Sequence, residues 1–272
     1  MQATTILAAF KSFLHEAGTL GLQIQQTAER SEKADKSIVT EADLAISALF
    51  QKQFAHYLAQ PGHVLIDEET RKLPLDDVLA ADYQWIIDPI DGTATYACGG
   101  LFWGIIVSVY RKGEPWLAAT YIPALRRLYW ADETTAYETT DAFTAQETTI
   151  PLNPTIAPLG HSSQVHIHAE FIPQVFTTTP FIMVDYWSPL HSGMVCAGRL
   201  TCSIFKDALW DFAAGFTFAL RTGLGFRRLS DGKAFTRLTT ELLTPSFKCA
   251  NFMYIGPTHV HQALQPHFQP TL

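Results

Sequence analysis

The sequence of 272 residues has few cysteines, no basic block and no long apolar run, and each absence excludes a class of protein. Its 4 cysteines form no Cys-x-x-Cys pair, which argues against a disulfide framework and predicts reduced thiols in the cytoplasm. A net charge of −7 without a basic cluster argues against nucleic acid or an anionic membrane as the main partner. Lys11, Glu16 and Glu29 interrupt the N-terminal segment, and no later stretch reaches the ~20 apolar residues of a spanning helix. We therefore expect a soluble protein without a signal peptide.

What the sequence does have is enough apolar surface for a folded core. Hydrophobic residues make up 47% of the chain and aromatic residues 12%, in a length that suits one large or two modest domains. An acidic protein of this kind can bind an anionic phosphate if metal ions reverse the local charge. A phosphate-handling enzyme is therefore compatible with the composition, provided that it carries a metal site.

The hydrophobic pattern predicts helices interspersed with strands. Helices are predicted at 6–28, 41–59, 191–198 and from about 210 to before Gly223. Strands are predicted at 63–66, 83–87, 103–110, 116–122, 129–130 and 181–184. A polar, Thr-rich stretch at 132–158 is interpreted as a domain junction plus an edge hairpin. On this basis we expect an N-terminal α+β domain at 1–135 and a C-terminal α/β domain at 136–272.

The most informative segment is Asp88-Pro89-Ile90-Asp91-Gly92-Thr93. The strand before it ends at Asp88, so the carboxylate leaves the sheet at the edge where α/β proteins form their sites. Two carboxylates held this close repel each other unless a cation lies between them, and Mg²⁺ prefers oxygen ligands. A helix or turn beginning at Thr93 would offer free amides to an anion. The alternative is an ordinary surface turn of the Asp-Pro and Asp-Gly type.

Other carboxylates weaken that alternative. Glu68 and Glu69 follow another predicted strand, and Asp211 opens a predicted helix, where it could also serve as a capping residue. Asp43 lies near the start of the second helix, where compensation of the helix dipole is the simplest interpretation.

Four motifs, taken in order, resemble the inositol monophosphatase family. They are Val39-Thr40-Glu41-Ala42-Asp43, Asp67-Glu68-Glu69-Thr70, the hexapeptide Asp88 to Thr93, and Trp210-Asp211-Phe212-Ala213-Ala214-Gly215. The hexapeptide and the last motif are specific, whereas the other two are weak alone. The resemblance implies a mixed α/β fold, a five-layered αβαβα sandwich of the inositol monophosphatase/fructose-1,6-bisphosphatase type. It also implies a homodimer and inhibition by lithium.

The resemblance further implies roles for individual residues. The metal ligands, for two or three Mg²⁺ ions, would be Glu68, Asp88, the main-chain carbonyl of Ile90, Asp91 and Asp211. The catalytic residues would be Asp43, Thr93 and Glu68, with Asp43 and Thr93 activating the attacking water. The substrate and its phosphate would be bound by Asp91, Gly92, Thr93 and Ser188, with the amides of Gly92 and Thr93 as donors to the phosphate.

The sequence departs from the family on the side that would recognise the alcohol. Tyr186-Trp187-Ser188 aligns with a small Gly-Ser/Thr-Ala segment, and Phe205 lies near the place of an acidic residue that binds substrate hydroxyls. Near the metal site, Ser37 replaces an aspartate and Asp67 replaces a glycine. These changes make inositol phosphate itself a doubtful substrate.

Histidines at 161, 166, 168 and 191 could suggest a zinc site, but no third ligand follows His166-x-His168 at a convincing spacing. We therefore interpret them as surface or capping histidines.

Three functions remain open. The first is a Mg²⁺-dependent phosphomonoesterase for a small sugar, polyol or related metabolite phosphate. The second is a 3′-nucleotide (bisphosphate) phosphatase or sugar bisphosphatase, whose subsite would use Arg199, Lys206, Tyr186 and Trp187. The third is an inactive binding homologue, which would have no physical reason to retain so many uncompensated carboxylates.

Overall fold

The structure is a computed structural model that describes residues 1–26, 30–32, 38–70, 73–186 and 188–269. For 30–32, 38–39 and 188–189 it describes the backbone alone. None of the described helices is long and apolar enough to cross a bilayer.

Helices and strands occur throughout these residues. The helices are α1 (Ala3–Gln25), α2 (Glu41–Gln53), α3 (Ala55–Leu58), α4 (Leu75–Ala80), α5 (Thr93–Ala97), α6 (Ile172–Val175), α7 (Ser188–Cys196), α8 (Leu209–Arg221) and α9 (Thr258–Leu264). The strands are β1 (Arg30–Glu32), β2 (Ile38–Thr40), β3 (His63–Asp67), β4 (Tyr83–Asp91), β5 (Gly104–Arg111), β6 (Glu114–Ile122), β7 (Arg127–Ala131), β8 (Ala136–Thr140), β9 (Thr148–Pro151), β10 (Gln164–His166), β11 (Ile182–Val184), β12 (Cys202–Phe205), β13 (Phe226–Arg228), β14 (Ala234–Phe235) and β15 (Met253–Ile255).

Strands β3 to β9 form a seven-stranded sheet in chain order. Its one parallel pair is β3 with β4, and the others are antiparallel. The predicted hairpin between β5 and β6 is confirmed, and it turns at Lys112 and Gly113, whose positive φ angles of 50° and 81° suit a tight two-residue turn. The predicted edge hairpin in the Thr-rich stretch is also confirmed, as β8 and β9. Because this sheet has strands on both sides of residue 135, the domain boundary there stays a prediction.

Two predicted elements end at different residues in the structure. The second helix was predicted to run to residue 59, but it ends at Gln53, and after Phe54 the short helix α3 follows. The strand at 83–87 was predicted to break at Asp88, yet β4 continues to Asp91. A shift in its register with β5 between Asp88 and Asp91 accommodates Pro89, which has no N–H to donate.

The second sheet has the strand order β11-β10-β12-β15-β13-β14. Strands β10, β11 and β12 are parallel, so their carboxyl ends share one edge. All six of these strands contain only two to four residues, and the sequence pattern predicted β11 alone.

The elements stack in five layers. Helices α1 and α2 cover the outer face of the seven-stranded sheet through an aromatic cluster that includes Phe10, Phe54 and Trp85. Helices α7 and α8 pack between the two sheets, where Gly193 lets the ring of Tyr129 approach so closely that a Cβ atom would lie 2.4 Å from it. Val175 of α6 and Val260 of α9 pack on the outer side of the second sheet. The αβαβα arrangement predicted from the resemblance is confirmed.

Candidate active site

The parallel pair β3 and β4 carries the first carboxylates to one edge of the seven-stranded sheet. Glu68 follows the last residue of β3, and Asp88 and Asp91 lie on the final residues of β4. Both strands end in the same direction, so their acidic groups are brought together without any local sequence relation between them.

Helix α8 brings Asp211 to the same place. The helix begins at Leu209, and Oδ2 of Asp211 accepts a hydrogen bond from the backbone N–H of Ala208 at 2.9 Å. Asp211 therefore does cap the helix, as the simpler interpretation held. One carboxylate oxygen from each of Glu68, Asp88 and Asp211 nevertheless lies within 4.8 Å of the other two. Asp211 therefore both caps the helix and belongs to the carboxylate cluster.

Asp88 lies at the centre of this cluster. It is fully buried, and neither of its carboxylate oxygens accepts a hydrogen bond from a donor in the part of the chain that the structure describes. Burial, and then the charges of Glu68, Asp91 and Asp211, raise the pKa of Asp88 well above its usual value. Burial and the charge of Asp207 raise the pKa of Asp211 to about 7.

These groups fit a hard divalent cation. The donors are carboxylate oxygens, the ligands that Mg²⁺ prefers, and the buried oxygens of Asp88 have no other described compensation. A cation between them would satisfy the buried oxygens and remove the mutual repulsion that raises the pKa values.

The turn after β4 has the predicted form. Gly92 adopts a left-handed conformation with φ of 88°, and α5 begins at Thr93. The hydroxyl of Thr93 donates a hydrogen bond to the carbonyl of Ile90 at 2.9 Å, while the side chain of Ile90 is buried in the core. The carbonyl of Ile90 thus faces the turn, and its side chain faces the hydrophobic interior.

Asp43 is buried at the start of α2. Its Oδ2 accepts hydrogen bonds from the backbone N–H of Thr40 at 2.8 Å and from the hydroxyl of Thr40 at 2.5 Å. Burial, and then the charges of Asp43 and Glu41, raise the pKa of Tyr96 on α5. Asp43 therefore lies close enough to α5 to influence it electrostatically, while its action together with Thr93 stays a prediction.

Asp67 has a role that the sequence did not reveal. It is fully buried, and its Oδ2 accepts hydrogen bonds from the hydroxyl of Ser47 and the side-chain amide of Gln51. Its Oδ1 accepts a hydrogen bond from the backbone N–H of Glu69 at 2.9 Å. The aspartate that replaces the family's glycine thus ties α2 to the turn that carries Glu68. The sequence signal for this role was an acidic residue at a position where the family has glycine.

A cleft of about 660 Å³ lies beside the carboxylates, and its walls include Glu68 and Asp211. Phe205, which the sequence places near the position of a hydroxyl-binding acidic residue, does not line the cleft, because its ring is buried in the core against Phe212 and Phe226. The next two residues, Lys206 and Asp207, line the cleft instead. Burial raises the pKa of Asp207 to about 6. An acidic group therefore lines the cleft two residues beyond Phe205.

The interpretation of the histidines as surface or capping residues is wrong for two of them. His166 and His191 are buried, and their rings stack at 3.8 Å with an interplanar angle of 10°. His168 is partly buried and forms a hydrogen bond with Asp185. Sequence spacing could not reveal these contacts, because β10, β11 and α7 contribute one partner each.

The missing third ligand also exists in space, since potential ligand atoms of His166, His168 and Asp185 lie within 4.8 Å of one another. Hydrogen bonds within the protein already engage these groups. Ring nitrogens of His166 lie 2.8 Å from Ser203 Oγ and from the Tyr186 carbonyl, and both oxygens of Asp185 have donors. This arrangement favours a hydrogen-bonded network over a metal site.

The remaining predicted residues divide between the cleft and other regions. Arg199 binds Glu138 through two nitrogens and does not line the cleft, which corrects its assignment to a basic subsite. Ser188 begins α7, and its role in binding substrate stays a prediction. Trp187 lies outside the described residues.

Comparison with known proteins gives one family match over most of the chain. The sequence model described as "Inositol monophosphatase family" matches residues 3–223. The Nus factor SuhB of Escherichia coli (strain K12) is 27% identical over 193 residues, which cover 69% of this chain and 70% of that protein. The histidinol-phosphatase of Mycobacterium tuberculosis is 30% identical over 99 residues, 36% of each chain.

Solved structures agree with the fold. A dual-specific IMPase/NADP phosphatase bound with D-inositol-1-phosphate has 23% identity and a TM-score of 0.75, with 99% of both chains covered. An IMPase/NADP phosphatase complexed with Mg²⁺ and phosphate has 22% identity, the same TM-score and the same coverage. A staphylococcal inositol monophosphatase-1 in a LiCl-soaked inhibitory complex reaches a TM-score of 0.75 at 22% identity, with 99% of this chain and 98% of that chain covered.

Proposed function

The chain belongs to the inositol monophosphatase family of magnesium-dependent phosphoric monoester hydrolases, and on this premise we propose that it hydrolyses a small sugar, polyol or related metabolite phosphate. The observation that carries the proposal is the cluster of Glu68, Asp88 and Asp211, in which Asp88 is fully buried and has no donor partner among the described residues. A cluster of this kind is costly to a folded protein unless a cation binds to it.

We propose that Glu68, Asp88, Asp91, Asp211 and the carbonyl of Ile90 hold the magnesium. When bound, the metal supplies charge neutralisation for the phosphate oxygens and a lowered pKa for the attacking water. The carboxylates fix the position of this charge, and the burial of Asp88 keeps competing water away from it.

Around that centre, the turn after β4 would position the phosphate. The amides of Gly92 and Thr93 would donate hydrogen bonds to it, which the left-handed conformation of Gly92 permits. The hydroxyl of Thr93 donates its hydrogen bond to the carbonyl of Ile90, so its oxygen keeps the capacity to accept a hydrogen bond from water. We assign to Asp43 and Thr93 the orientation of that water, and to Ser188 a contact with substrate.

The alternative of a 3′-nucleotide (bisphosphate) phosphatase or sugar bisphosphatase rests on Lys206 and Lys248, which line the cleft together with the aromatic residues Phe171 and Trp210. Arg199 no longer supports it. An inactive binding homologue is the third possibility, and it is excluded if the protein turns over.

The direct experiment is release of phosphate from p-nitrophenyl phosphate by the purified protein, with Mg²⁺ and with EDTA. We expect hydrolysis that requires Mg²⁺. If the folded protein releases no phosphate from this compound or from a panel of metabolite monophosphates, the phosphatase proposal fails and the binding homologue replaces it.

We also propose that the enzyme is a cytoplasmic homodimer and that lithium inhibits it. Cys196, Cys202 and Cys249 are buried free thiols, which suits a reducing compartment. Light scattering tests the dimer, and titration of the Mg²⁺-dependent activity with LiCl tests the inhibition.

A further inference from the structure

Helix α5 carries Thr93 into the candidate active site, yet it is too short to keep its position by itself. It contains five residues, and isolated helices of fewer than about 12 residues are marginal in water. Its first residue, Thr93, is held by the hydrogen bond to the carbonyl of Ile90. The position of the whole helix, and of Thr93 with it, therefore depends on the contacts that hold its other end.

The last two turns of α1 make those contacts. Nε2 of Gln25, the final residue of α1, donates hydrogen bonds to the carbonyl of Tyr96 at 3.1 Å and to the carbonyl of Gly100 at 2.9 Å. One turn earlier in α1, the carbonyl of Gly21 accepts a hydrogen bond from the hydroxyl of Tyr96 at 2.7 Å. The bonded residues are 71 or 75 positions apart in the chain, so these hydrogen bonds join segments that only the fold brings together.

Buried rings fix the distance between α1 and α5. The ring of Tyr96 is almost fully buried and meets the ring of Trp103 edge-on, with 4.8 Å between their centroids. Gly21 lets the same tryptophan approach so closely that a Cβ atom at residue 21 would lie 2.7 Å from its ring. Phe10 and Phe13 anchor α1 in the core against the seven-stranded sheet. Helix α1 is therefore a firm support from which a side chain can hold α5.

The side chain of Gln25 caps α5 from outside the helix. Its amide nitrogen carries two N–H groups, which matches the two carbonyls that accept from it. Carbonyls at the end of a helix lack intrahelical donors, and the carbonyl of Tyr96 belongs to that end. Gln25 is only half-buried, so a residue of the same size can replace it without opening a cavity in the core.

We propose that Gln25 is a positioning residue of the active site, which fixes α5 and thereby holds Thr93 beside the carboxylate cluster. The inference rests on the proposed phosphatase function, in which Thr93 orients the attacking water. Gln25 acts through α5 and not by contact with the substrate. Because orientation of the water matters in the transition state, loss of Gln25 should lower kcat and leave KM nearly unchanged.

The test removes the donors of Gln25 without changing the size of the side chain. Gln25→Glu places carboxylate oxygens, which only accept hydrogen bonds, against the carbonyls of Tyr96 and Gly100. With p-nitrophenyl phosphate and saturating Mg²⁺, we expect kcat to fall about tenfold and KM to change less than about twofold. Gln25→Lys, whose ammonium group can donate to both carbonyls, should restore kcat to within about threefold of the wild-type value.

A matched variant controls for the added charge. Gln23→Glu places the same charge in the same turn of α1, on an exposed side chain that forms no hydrogen bond with a described residue of α5. Its kcat should stay within about twofold of the wild-type value, since the contacts of Gln25 are intact. Hydrogen–deuterium exchange gives a readout that does not need activity. Residues 93–100 should exchange about fivefold faster or more in Gln25→Glu, and at the wild-type rate in Gln23→Glu.

Several results would overturn the assignment of Gln25. They are a wild-type kcat in Gln25→Glu, an equal loss of kcat in Gln23→Glu, no recovery in Gln25→Lys, and a rise in KM at constant kcat. Unchanged exchange of residues 93–100 in Gln25→Glu would refute the hold on α5 whatever the activity. Absence of hydrolysis by the wild-type protein with Mg²⁺ would instead refute the phosphatase function itself.

Discussion

Two buried carboxylates in this protein have opposite surroundings. Glu138 on β8 is almost fully buried, and it accepts hydrogen bonds from Arg199 at 2.6 and 2.7 Å and from Arg127 at 2.5 Å. Asp88 on β4 is equally buried, but its neighbours are the carboxylates of Glu68, Asp91 and Asp211. Burial alone would raise both pKa values, yet the hydrogen bonds and charges of Arg199 and Arg127 lower that of Glu138, whereas the neighbours of Asp88 raise its pKa further.

The contrast distinguishes a structural charge from a functional one. The charge of Glu138 is compensated within the chain, so it joins β7, β8 and the loop after α7 without help from a ligand. No donor among the described residues compensates the charge of Asp88, so we propose that a bound cation compensates it. If this distinction holds, a substitution at Asp88 should mainly change activity, and a substitution at Glu138 should mainly change stability.

The largest effect on activity is expected for Asp88→Asn. Turnover should fall by on the order of 10²- to 10⁴-fold, because several kcal/mol of charge stabilisation at the phosphate are lost. The metal-free fold should keep its stability or gain slightly, since one of the repelling charges is removed. Steady-state kinetics and urea unfolding in EDTA measure the two properties. Near-full Mg²⁺-dependent activity in the variant would show that Asp88 is not a ligand.

Glu138→Gln should show the reverse pattern. Loss of a buried partner costs about 3–5 kcal/mol when both charges are buried, but Arg127 and Arg199 are 29% and 41% exposed, so we expect about 2 kcal/mol in the free energy of unfolding. The activity per folded molecule should change little. A large loss of kcat without loss of stability would break the comparison.

The pH dependence of the metal-free protein sharpens the comparison. The raised pKa values of Asp88 and Asp211, the latter about 7, mean that the folded state binds more protons than the unfolded state above pH ~4. Their contribution to stability is present below pH ~4 and is lost as the pH rises towards 7. Mg²⁺ binds the deprotonated groups, so the increase in Tm that it produces should be larger at pH 8 than at pH 5.

Comparing Tm with and without Mg²⁺ at the same pH removes the contribution of the buried histidines. Burial lowers the pKa of His166 to about 3 and that of His191 well below its usual value, so both destabilise the fold as the pH falls below ~6.5. That effect is common to samples with and without Mg²⁺ and cancels in the difference. Equal increases in Tm at pH 5 and pH 8 would contradict the raised pKa values.

The smallest effects on stability and activity are expected when a donor to Asp67 is removed. Asp67 is a buried carboxylate whose donors are neutral groups. Ser47→Ala removes the hydroxyl that donates to it but leaves Gln51 and the N–H of Glu69. The free energy of unfolding should fall by about 1 kcal/mol, and kcat should change less than about threefold. Urea unfolding measures the first quantity. A loss of activity as large as that of Asp88→Asn would place Asp67 in the metal centre.

The sequence predicted the parts of the fold that local pattern determines. The apolar spacing of α1, the turn at Lys112 and Gly113, and the start of α8 were all read correctly, because each depends on residues close together in the chain. Helix α4 and strands β10 and β12 to β15 were not predicted. Most of these strands are too short for a period to appear, and their partners in the sheet come from distant segments.

In the candidate site too, the sequence identified the residues of continuous motifs and missed contacts between distant segments. The carboxylates were identified because their motifs are continuous in sequence, and the parallel ends of β3 and β4 then bring them together. The contact between His168 and Asp185 was missed because the two residues are 17 positions apart and meet only when β10 and β11 pair. Phe205 is the last residue of β12, whose four residues are all buried, and Lys206 and Asp207 follow its end into the cleft. The sequence pattern did not reveal this strand, so it could not separate the buried residue from the two that line the cleft.

The central claim is that the carboxylates of Glu68, Asp88 and Asp211 gather a divalent cation. A crystal grown with Mn²⁺ and inorganic phosphate tests it directly, because Mn²⁺ takes the oxygen ligands of Mg²⁺ and gives an anomalous signal. We expect an anomalous peak about 2.0–2.3 Å from carboxylate oxygens of Asp88 and at least one of its two neighbours, with phosphate on its open side. A well-ordered cluster whose carboxyl groups share protons with one another, with no peak among them, would contradict the account.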